Sequence, residues 1–462
     1  MASGPPRRPS SRRPSRPRQP ERPAPVDRPR LVAFQLLRAV SGEDAYANLA
    51  LPALITAQQL TGRDAGLATE LGYGTLRARG TLDEIVAACL DRPFAEVQAE
   101  VQDLLRLGAY QALRTRIPPH AAVATTVDLA RASGNVRAAG FVNAVLRKVA
   151  ESDWDSWIDR LATDDPPIRR VALRTAHPQW IAEAFRDALG GDLAETEAAL
   201  AADDARPQTH LVAWPGRSDR AELVTQSGGV AGPYSPYAVR MTGGDPSALA
   251  AVHARRAGVQ DEGSQLCAIA LTYAPLDGRD ERWLDLCAGP GGKTALLAAL
   301  AAGRSATVTA NELHPHRAEL VHKLCAPWEV DVLVGDSREL PPVEGGYDRV
   351  LVDAPCTGLG ALRRRPESRW RRQPGDVPEL ARLQGELLAA ALRLVRPGGV
   401  VGYVTCSPHP AETLEVVAGY DLLDARAAFA GVDNIGERLT VQLWPHRHGT
   451  DAMFCALIRR SV

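Results

Sequence analysis

From about residue 246 to its end, the chain alternates short apolar runs with segments of helical periodicity. Each run has the length of one buried strand, and each segment between runs, such as 317–325 or 378–395, has the length of one crossover helix. Strands that alternate with helices form a parallel sheet covered on both faces. We therefore expect an α/β doubly wound, Rossmann-like domain over residues 246–462. The predicted strands are 283–287, 306–311, 330–334, 348–353 and 399–405, with a last strand at 453–458.

The rest of the 462-residue chain divides into three further segments. Residues 30–150 have apolar positions at helical spacing and no strand alternation, which predicts an all-helical domain. Residues 151–245 mix helical patterns with one strand-like run, 209–214, and we expect a small connecting α+β domain there. Residues 1–29 form a Pro/Arg-rich tail, because nine arginines and nine prolines fall within the first 30 positions. Such a composition cannot bury a core, so the tail is expected to be disordered.

Composition excludes several classes of protein. No apolar run of about 18 residues occurs and no hydrophobic segment follows the basic start, so we expect neither a membrane span nor a signal peptide. The seven cysteines are scattered without a Cys-x-x-Cys pair, which favours free thiols and a reducing, cytoplasmic location. His314-x-His316 and His446-x-His448 lack a second ligand pair at zinc spacing. We expect a cytoplasmic monomer without a metal.

A glycine-rich loop joins the first predicted strand to a helix over Trp283–Thr294, which reads WLDLCAGPGGKT. Glycines allow a ligand to approach the backbone, and a helix N-terminus presents free N–H groups. Glu312 stands at the end of the next strand, where an acid binds both hydroxyls of a ribose. Asp336 follows the third strand, where we expect the edge of an adenine. The pattern predicts a nucleotide-like cofactor.

Three kinds of cofactor fit this loop unequally. A phosphate-binding P-loop needs a glycine five residues before its Gly-Lys pair, and Cys287 occupies that position. A dinucleotide fingerprint needs a third glycine at Thr294. The acid at the strand end, Asp285, suits a cofactor that has a positive amino group and no pyrophosphate. S-adenosylmethionine is therefore the predicted cofactor.

Two cysteines follow two further strand ends. Cys356 comes after Asp353-Ala-Pro, and Cys406 lies between a threonine and a serine. Ligands bind beyond the carboxyl ends of strands in doubly wound sheets, so we expect these residues and the glycine loop to share one cleft. One such cysteine would be typical of packing, whereas two favour chemistry. A thiolate that adds to carbon 6 of a pyrimidine activates carbon 5 for methylation, and Asp353 is placed to hydrogen-bond ring N3.

These motifs resemble one known family. The segments DLCAGPGGKT at 285–294, DAPCTGLG at 353–360 and TCS at 405–407 are similar to the Sun (RsmB-like) family of ribosomal RNA cytosine-C5 methyltransferases. The helical region resembles the NusB-like RNA-binding domain of that family. Further similar segments are VQDEGSQ at 259–265, GTD at 449–451, IPPHAAV at 117–123 and GFVNAVLR at 140–147.

The resemblance implies a class I methyltransferase domain that transfers a methyl group from S-adenosylmethionine to carbon 5 of a cytosine in RNA, with small-subunit ribosomal RNA as the expected substrate. It makes Cys406 the nucleophile and Cys356 the residue that assists product release, with Asp353 as the third catalytic residue. DNA cytosine methyltransferases attack with the cysteine of the Pro-Cys motif instead, so residue types alone leave both assignments open. The implied cofactor contacts are Cys287, Ala288, Gly289, Pro290, Gly291, Gly292, Lys293, Glu312, Asp336 and Asp353.

A basic run over residues 363–372 holds six arginines and one tryptophan. Arginine pairs with phosphate and tryptophan stacks on unpaired bases, so we expect this run to contact RNA rather than to be a solvated loop. The alternative function is a non-catalytic RNA-binding or assembly factor with a degenerate methyltransferase fold. The intact Cys356, Cys406 and glycine loop argue against it.

Overall fold

The computed structural model describes residues 27–461. The predicted disordered tail lies outside these residues except for its last three positions. No helix in the described part is long and apolar enough to cross a lipid bilayer. The same residues contain no group of three or more His, Cys, Asp or Glu side chains that could hold a metal ion.

The N-terminal domain is all-helical, which confirms the prediction. Its helices are α1 (Arg28–Gly42), α2 (Ala47–Ala57), α3 (Gly62–Ala88), α4 (Ala99–Arg114), α5 (Pro119–Ala132) and α6 (Ala139–Val149). The first helix begins at Arg28 because the Asp27 carboxylate accepts the N–H of Arg30 and Pro29 stands in the first turn. The apolar faces of the six helices meet in one core cluster.

A second segment of helices and a small sheet follows. Its elements are α7 (Trp154–Leu161), α8 (Pro167–Arg174), α9 (Gln179–Ala188), α10 (Leu193–Asp204), β1 (His210–Ala213), α11 (Arg220–Ser227), β2 (Val230–Ala231), β3 (Ala238–Arg240), α12 (Ala250–His253) and β4 (Ala257–Val259). The strand predicted at 209–214 is β1, and the sheet order is β2-β3-β1-β4 with antiparallel pairs. β4 lies beyond residue 246, where we expected the next domain to begin, but it pairs with β1.

The C-terminal domain contains the larger sheet. Its elements are α13 (Glu262–Tyr273), β5 (Arg282–Asp285), α14 (Gly292–Ala302), β6 (Thr307–Glu312), α15 (Pro315–Cys325), β7 (Val330–Val334), β8 (Tyr347–Asp353), α16 (Ser368–Arg371), α17 (Asp376–Leu394), β9 (Val395–Thr405), β10 (Leu422–Leu423), β11 (Val441–Gln442), α18 (Pro445–His448) and β12 (Phe454–Arg459). The order is β10-β12-β9-β8-β5-β6-β7, with β11 paired to β12.

The five strands β7, β6, β5, β8 and β9 are parallel, and their order reverses at β5, as in a doubly wound fold. The predicted last strand is β12, which runs antiparallel to β9. The sheet is therefore mixed at one side.

Helices cover both faces of this sheet. Successive residues of β5 point to opposite faces, so that Trp283 belongs to the core cluster shared with α13 and α14. Leu284 belongs to the cluster shared with α17. The carboxyl ends of β5, β8 and β9 are neighbours along one edge, and the predicted cleft lies at that edge.

Candidate active site

The glycine loop between β5 and α14 lies against α15. Gly291 has a φ of +111°, which favours glycine, and a Cβ there would lie 3.1 Å from the Cα of Val321. The N–H of Gly291 donates to the carbonyl oxygen of Ala288 at 2.7 Å. This tight turn brings the chain directly into the first turn of α14 at Gly292.

Glu312, at the end of β6, fixes the glycine loop because its carboxylate binds the loop backbone. One carboxylate oxygen accepts the N–H of Gly289 at 3.0 Å, and the other accepts the N–H of His314 at 3.0 Å. Arg317 forms an ion pair with Glu312 at 3.7 Å and also donates to the Gly289 carbonyl. A Cβ on Gly289 would lie 2.2 Å from Oε2 of Glu312. Glycine at 289 therefore lets the carboxylate reach the loop.

The loop after β7 is tied to the glycine loop by two buried side chains that the sequence analysis missed. Asn311 donates its amide to Oγ of Ser337 at 2.7 Å, and Ser337 donates to the carbonyl of Leu286. This chain of bonds ties the loop that carries Asp336, the predicted adenine contact, to the residue before the glycine loop. The Asp336 carboxylate binds Arg338 at 2.6 Å, and this bond lowers the pKa of Asp336. The only sequence signal for Ser337 was its place after a strand end.

Asp285 differs from our expectation. We expected it to face the amino group of the cofactor, but the side chain is fully buried and accepts the hydroxyl of Thr294 at 2.7 Å. Burial raises the pKa of Asp285 to about 7, although the Thr294 hydrogen bond opposes the shift. The residue fixes the glycine loop from beneath.

Gln260 is a further polar side chain at the glycine loop. It belongs to the VQDEGSQ segment and is buried, and its Oε1 has no hydrogen-bond partner within residues 27–461. A Cβ on Gly292 would lie 3.7 Å from Nε2 of Gln260. A buried acceptor without a partner is costly, so this oxygen suits a donor on a bound ligand.

The two cysteines predicted at the strand ends are in contact. The Sγ atoms of Cys356 and Cys406 lie 3.4 Å apart, and both are free thiols. Backbone bonds hold their loops together, because the N–H of Ala354 donates to Val404 and that of Gly360 donates to Cys406, each at 2.9 Å. The prediction that the two thiols share one cleft is thus met by a direct sulfur–sulfur contact.

Lys293 connects the glycine loop to the thiols. Its Nζ donates to Oδ2 of Asp353 at 2.8 Å. Burial alone would lower the pKa of Lys293, but the charge of Asp353 and the bond to it raise the pKa above its usual value, and the ammonium stays protonated. The site therefore contains a buried ammonium, a carboxylate and two thiols at the ends of three adjacent strands.

The two thiols are not equivalent. The hydrogen bond with Cys356 lowers the pKa of Cys406, because Cys356 can donate to a thiolate at 406, and the positive charge of Lys293 acts in the same direction. The same hydrogen bond, together with burial, raises the pKa of Cys356 well above its usual value. Cys406 is the thiol that more readily forms the thiolate, which is the reactive species.

The expectation that the basic run at 363–372 contacts RNA is wrong for most of its residues. Arg363 and Arg364 bind two carboxylates inside the protein, at 2.7 Å to Asp451 and 2.7 Å to Asp261 respectively. These aspartates belong to the GTD and VQDEGSQ segments. A buried ion pair between a carboxylate and an arginine offsets the lost hydration of both groups only when its geometry is good. Here each guanidinium group is held by carboxylates at two sides.

The second half of the run contacts the helical part of the chain. Arg369 is fully buried and donates to the Ala176 carbonyl at 2.8 Å. Trp370 donates its indole N–H to Leu76 in α3, and Arg371 donates to Ala45 at 2.7 Å. Of the six arginines only Arg365 is largely exposed. Most of the basic run therefore forms part of the interface between the C-terminal domain and the helical part of the chain.

Comparison with known proteins identifies this architecture. Residues 271–459 match the family described as 16S rRNA methyltransferase RsmB/F, and residues 27–151 match the NusB family. The ribosomal RNA small subunit methyltransferase B of Cronobacter sakazakii is 33% identical over 440 residues, which cover 92% of this chain and 97% of that protein. The chain belongs to the RsmB family of ribosomal RNA methyltransferases.

Other relatives of this RsmB-family chain agree. A protein of Mycobacterium tuberculosis strain H37Rv, named only as a methyltransferase, is 56% identical over 94% of this chain and 97% of its own length. The crystal structure of PH0851 has a TM-score of 0.76 at 22% identity, covering 94% of this chain and 98% of that one. At that identity the structural likeness shows the fold alone. S-adenosylmethionine is the cofactor of the family, as the sequence predicted.

Proposed function

We propose that this chain transfers a methyl group from S-adenosylmethionine to carbon 5 of a cytosine in small-subunit ribosomal RNA through a covalent adduct with Cys406. The contact of 3.4 Å between the sulfurs of Cys356 and Cys406 carries the proposal. Carbon 5 of a pyrimidine is a poor nucleophile until a thiolate has added to carbon 6, so paired thiols at a cofactor cleft support this chemistry.

The residues of the cleft fit the cofactor. Glu312 offers a carboxylate to the ribose, and Asp336, on the loop after the third parallel strand, is assigned to the adenine. Gln260 has a buried oxygen without a partner beside Gly292, and it suits the amino group of the methionine part. When bound, S-adenosylmethionine supplies an electrophilic methyl group.

Cys406 is assigned the attack. Its thiolate forms a bond to carbon 6, and the electron pair of the 5,6 double bond becomes available at carbon 5. Lys293 stabilises the negative charge on the sulfur before attack. Asp353 is assigned to ring N3 and relays to it a proton from solvent as the thiolate adds. The same proton returns to solvent by this route when the product leaves, while the Lys293 ammonium keeps its own proton and holds the Asp353 carboxylate at 2.8 Å.

Cys356 is assigned the release step. After methylation, carbon 5 loses its hydrogen as a proton, the 5,6 double bond forms again and the bond from sulfur to carbon 6 breaks. The departing Cys406 sulfur needs a hydrogen-bond donor, because a thiol with a lower pKa leaves faster. The S–H of Cys356 is that donor. One proton reaches solvent for each methyl group transferred.

The reverse assignment, in which the Pro-Cys cysteine attacks, is less well supported. The hydrogen bond between the thiols lowers the pKa of Cys406 and raises that of Cys356. The positive charge of Lys293 further lowers the pKa of Cys406. A non-catalytic assembly factor is also disfavoured, because such a factor would not need a thiol pair beside an intact cofactor loop.

We assign RNA binding to the helical domain at 30–150 and catalysis to the domain at 246–462, and we place the enzyme in the cytoplasm. Free thiols support that location, because Cys356 and Cys406 must stay reduced to react. The test is transfer of tritium from methyl-labelled cofactor into small-subunit ribosomal RNA, followed by nucleoside analysis. Label in 5-methylcytidine supports the proposal. Label in another nucleoside, or none, rejects it.

A further inference from the structure

Glu412 connects the two cysteine loops from beneath the cleft. The side chain is fully buried in the turn after β9. Its Oε1 accepts the N–H of Thr357 at 2.7 Å, and its Oε2 accepts the hydroxyl of Ser407 at 2.6 Å. The hydroxyl of Thr357 also donates to Oε2. Thr357 directly follows Cys356, and Ser407 directly follows Cys406, so one carboxylate binds the next residue after each thiol.

Gln384, on α17, completes this arrangement. Its amide donates to Oε1 of Glu412 at 3.1 Å and to the carbonyl of Pro355 at 2.8 Å. Pro355 and Thr357 flank Cys356, and both are therefore held. Tyr403, on β9, donates its hydroxyl to the Glu412 carbonyl at 2.8 Å. The carboxylate thus receives donors from three elements and is itself fixed to the strand that leads to Cys406.

We propose that Glu412 is a positioning residue that sets the distance and orientation between the sulfurs of Cys356 and Cys406. Only the expected effect on catalysis rests on the proposed function. The positioning of the two sulfurs does not depend on it. Glu412 lies under the loops and reaches the substrate through the thiols alone. If the sulfurs move apart, Cys356 no longer donates to the departing Cys406, and the release step slows more than the attack.

The chemistry of the site indicates which variant is informative. In Glu412→Gln the side-chain oxygen still accepts from Thr357 and Gln384, while the new amide donates to hydroxyls that can rotate to accept it. Shape is kept, but two hydrogen bonds to the loops reverse direction. Glu412→Asp keeps the charge and is shorter by one methylene group, so it cannot reach both loops. Glu415→Gln, at an exposed position three residues later, is the matched control.

The first measurement does not need RNA. An azodicarboxamide oxidant takes two protons and two electrons from the Cys356 and Cys406 thiols, which form a disulfide, while its N=N bond becomes the N–N bond of a hydrazine. The rate of disulfide formation, followed by peptide mapping, reports how often the sulfurs meet. We expect this rate to fall about ten-fold in both variants, because Glu412→Gln replaces hydrogen bonds to a charged group by weaker neutral ones and Glu412→Asp cannot reach both loops. The control should react at the wild-type rate.

The second measurement uses RNA and cofactor. The ratio of denaturation-resistant protein–RNA adduct to released methylated RNA should rise about ten-fold in the Glu412 variants, with cofactor affinity unchanged. A folded Glu412→Gln protein with the wild-type disulfide rate and adduct ratio overturns the proposal. If the wild type forms the disulfide but does not methylate RNA, and Cys356→Ala forms no RNA adduct, the proposed function fails and the positioning role stands.

A milder variant covers the case in which both Glu412 variants fail to fold. Ser407→Ala removes one donor from the carboxylate, together with the hydroxyl contacts to Thr357 and to the His409 N–H. It leaves the other donors to the Glu412 carboxylate in place. We expect the same two changes in smaller degree, with a disulfide rate about three-fold lower. A wild-type rate in folded Ser407→Ala, with a wild-type adduct ratio, overturns the proposal as well.

Discussion

The indole N–H of Trp370 donates to the carbonyl oxygen of Leu76 at 2.8 Å and so joins the segment after Cys356 to helix α3 of the NusB-family domain. The ring fills a notch at Gly80, where a Cβ would lie 2.1 Å from the indole. The segment that leaves the Cys356 loop therefore packs directly against the NusB-family domain and forms part of the boundary between the two domains.

Removal of the indole should loosen this boundary. Trp370→Ala leaves a cavity at Gly80 and removes a buried hydrogen bond, so we expect a loss of about 3 kcal/mol in the free energy of unfolding. Calorimetry should show the single transition broadening or dividing as the domains unfold separately. Arg365→Ala, in the same run but exposed, should change stability by no more than about 0.5 kcal/mol. An unchanged transition in Trp370→Ala would show that the joint contributes nothing to stability.

The two thiols should fail at different steps when removed. Cys406→Ala should neither methylate RNA nor form an adduct, because nothing adds to carbon 6. Cys356→Ala should attack and methylate, and then remain bound to RNA through a denaturing gel, because the departing sulfur has lost its donor. Each variant is incubated with RNA and cofactor before electrophoresis. An adduct in Cys406→Ala and none in Cys356→Ala would instead assign the attack to Cys356.

The parallel strands were predictable because a strand buried on both faces is a continuous apolar run. Residues 348–353 were predicted as a strand and lie in β8, which is buried from Tyr347 to Val352. The cleft was predictable for a related reason, since topology alone brings the strand ends of Cys356 and Cys406 together.

The role of the basic run was not predictable. Arg363 is buried because Asp261 and Asp451 stand beside it, and these acids lie 102 and 88 positions away in sequence. A local run of arginines has the same pattern whether its partners are phosphates or distant carboxylates. The burial of Asp285 was not predictable either. Its hydrogen-bond partner, the Thr294 hydroxyl, is brought close to it only by the folded glycine loop.

Glu312 should matter for cofactor affinity. Glu312→Gln removes the charge that we assign to the ribose hydroxyls and keeps an acceptor for the Gly289 N–H. A hydrogen bond to a charged group contributes about 1.5–3 kcal/mol, so titration calorimetry should show a ten-fold to hundred-fold weaker affinity for S-adenosylmethionine. Glu319→Gln, on the exposed side of α15, should bind as the wild type does. Equal affinities in the two variants would remove Glu312 from the cofactor site.

The buried carboxyl of Asp285 should make stability depend on pH. Its pKa is raised from 3.8 to about 7 in the folded protein, so between these values the native state holds a proton that the unfolded chain has lost. Stability then falls as pH rises from about 4 to 7 and becomes level above 7, by roughly 4 kcal/mol in total.

Asp285→Asn should abolish that dependence. The amide resembles the protonated acid, because its oxygen accepts the N–H of Cys287 and its nitrogen donates to the Thr294 hydroxyl, which turns to the Ala288 carbonyl. Urea unfolding at pH 5, 6, 7 and 8 gives the free energy of each protein. The variant should equal the wild type near pH 4 and exceed it at pH 8. Asp433→Asn, at an exposed position, should follow the wild-type curve. Parallel curves for Asp285→Asn and the wild type would mean that the carboxyl is already ionised in the folded protein at pH 5, because only an ionised native carboxyl contributes no pH dependence over that range.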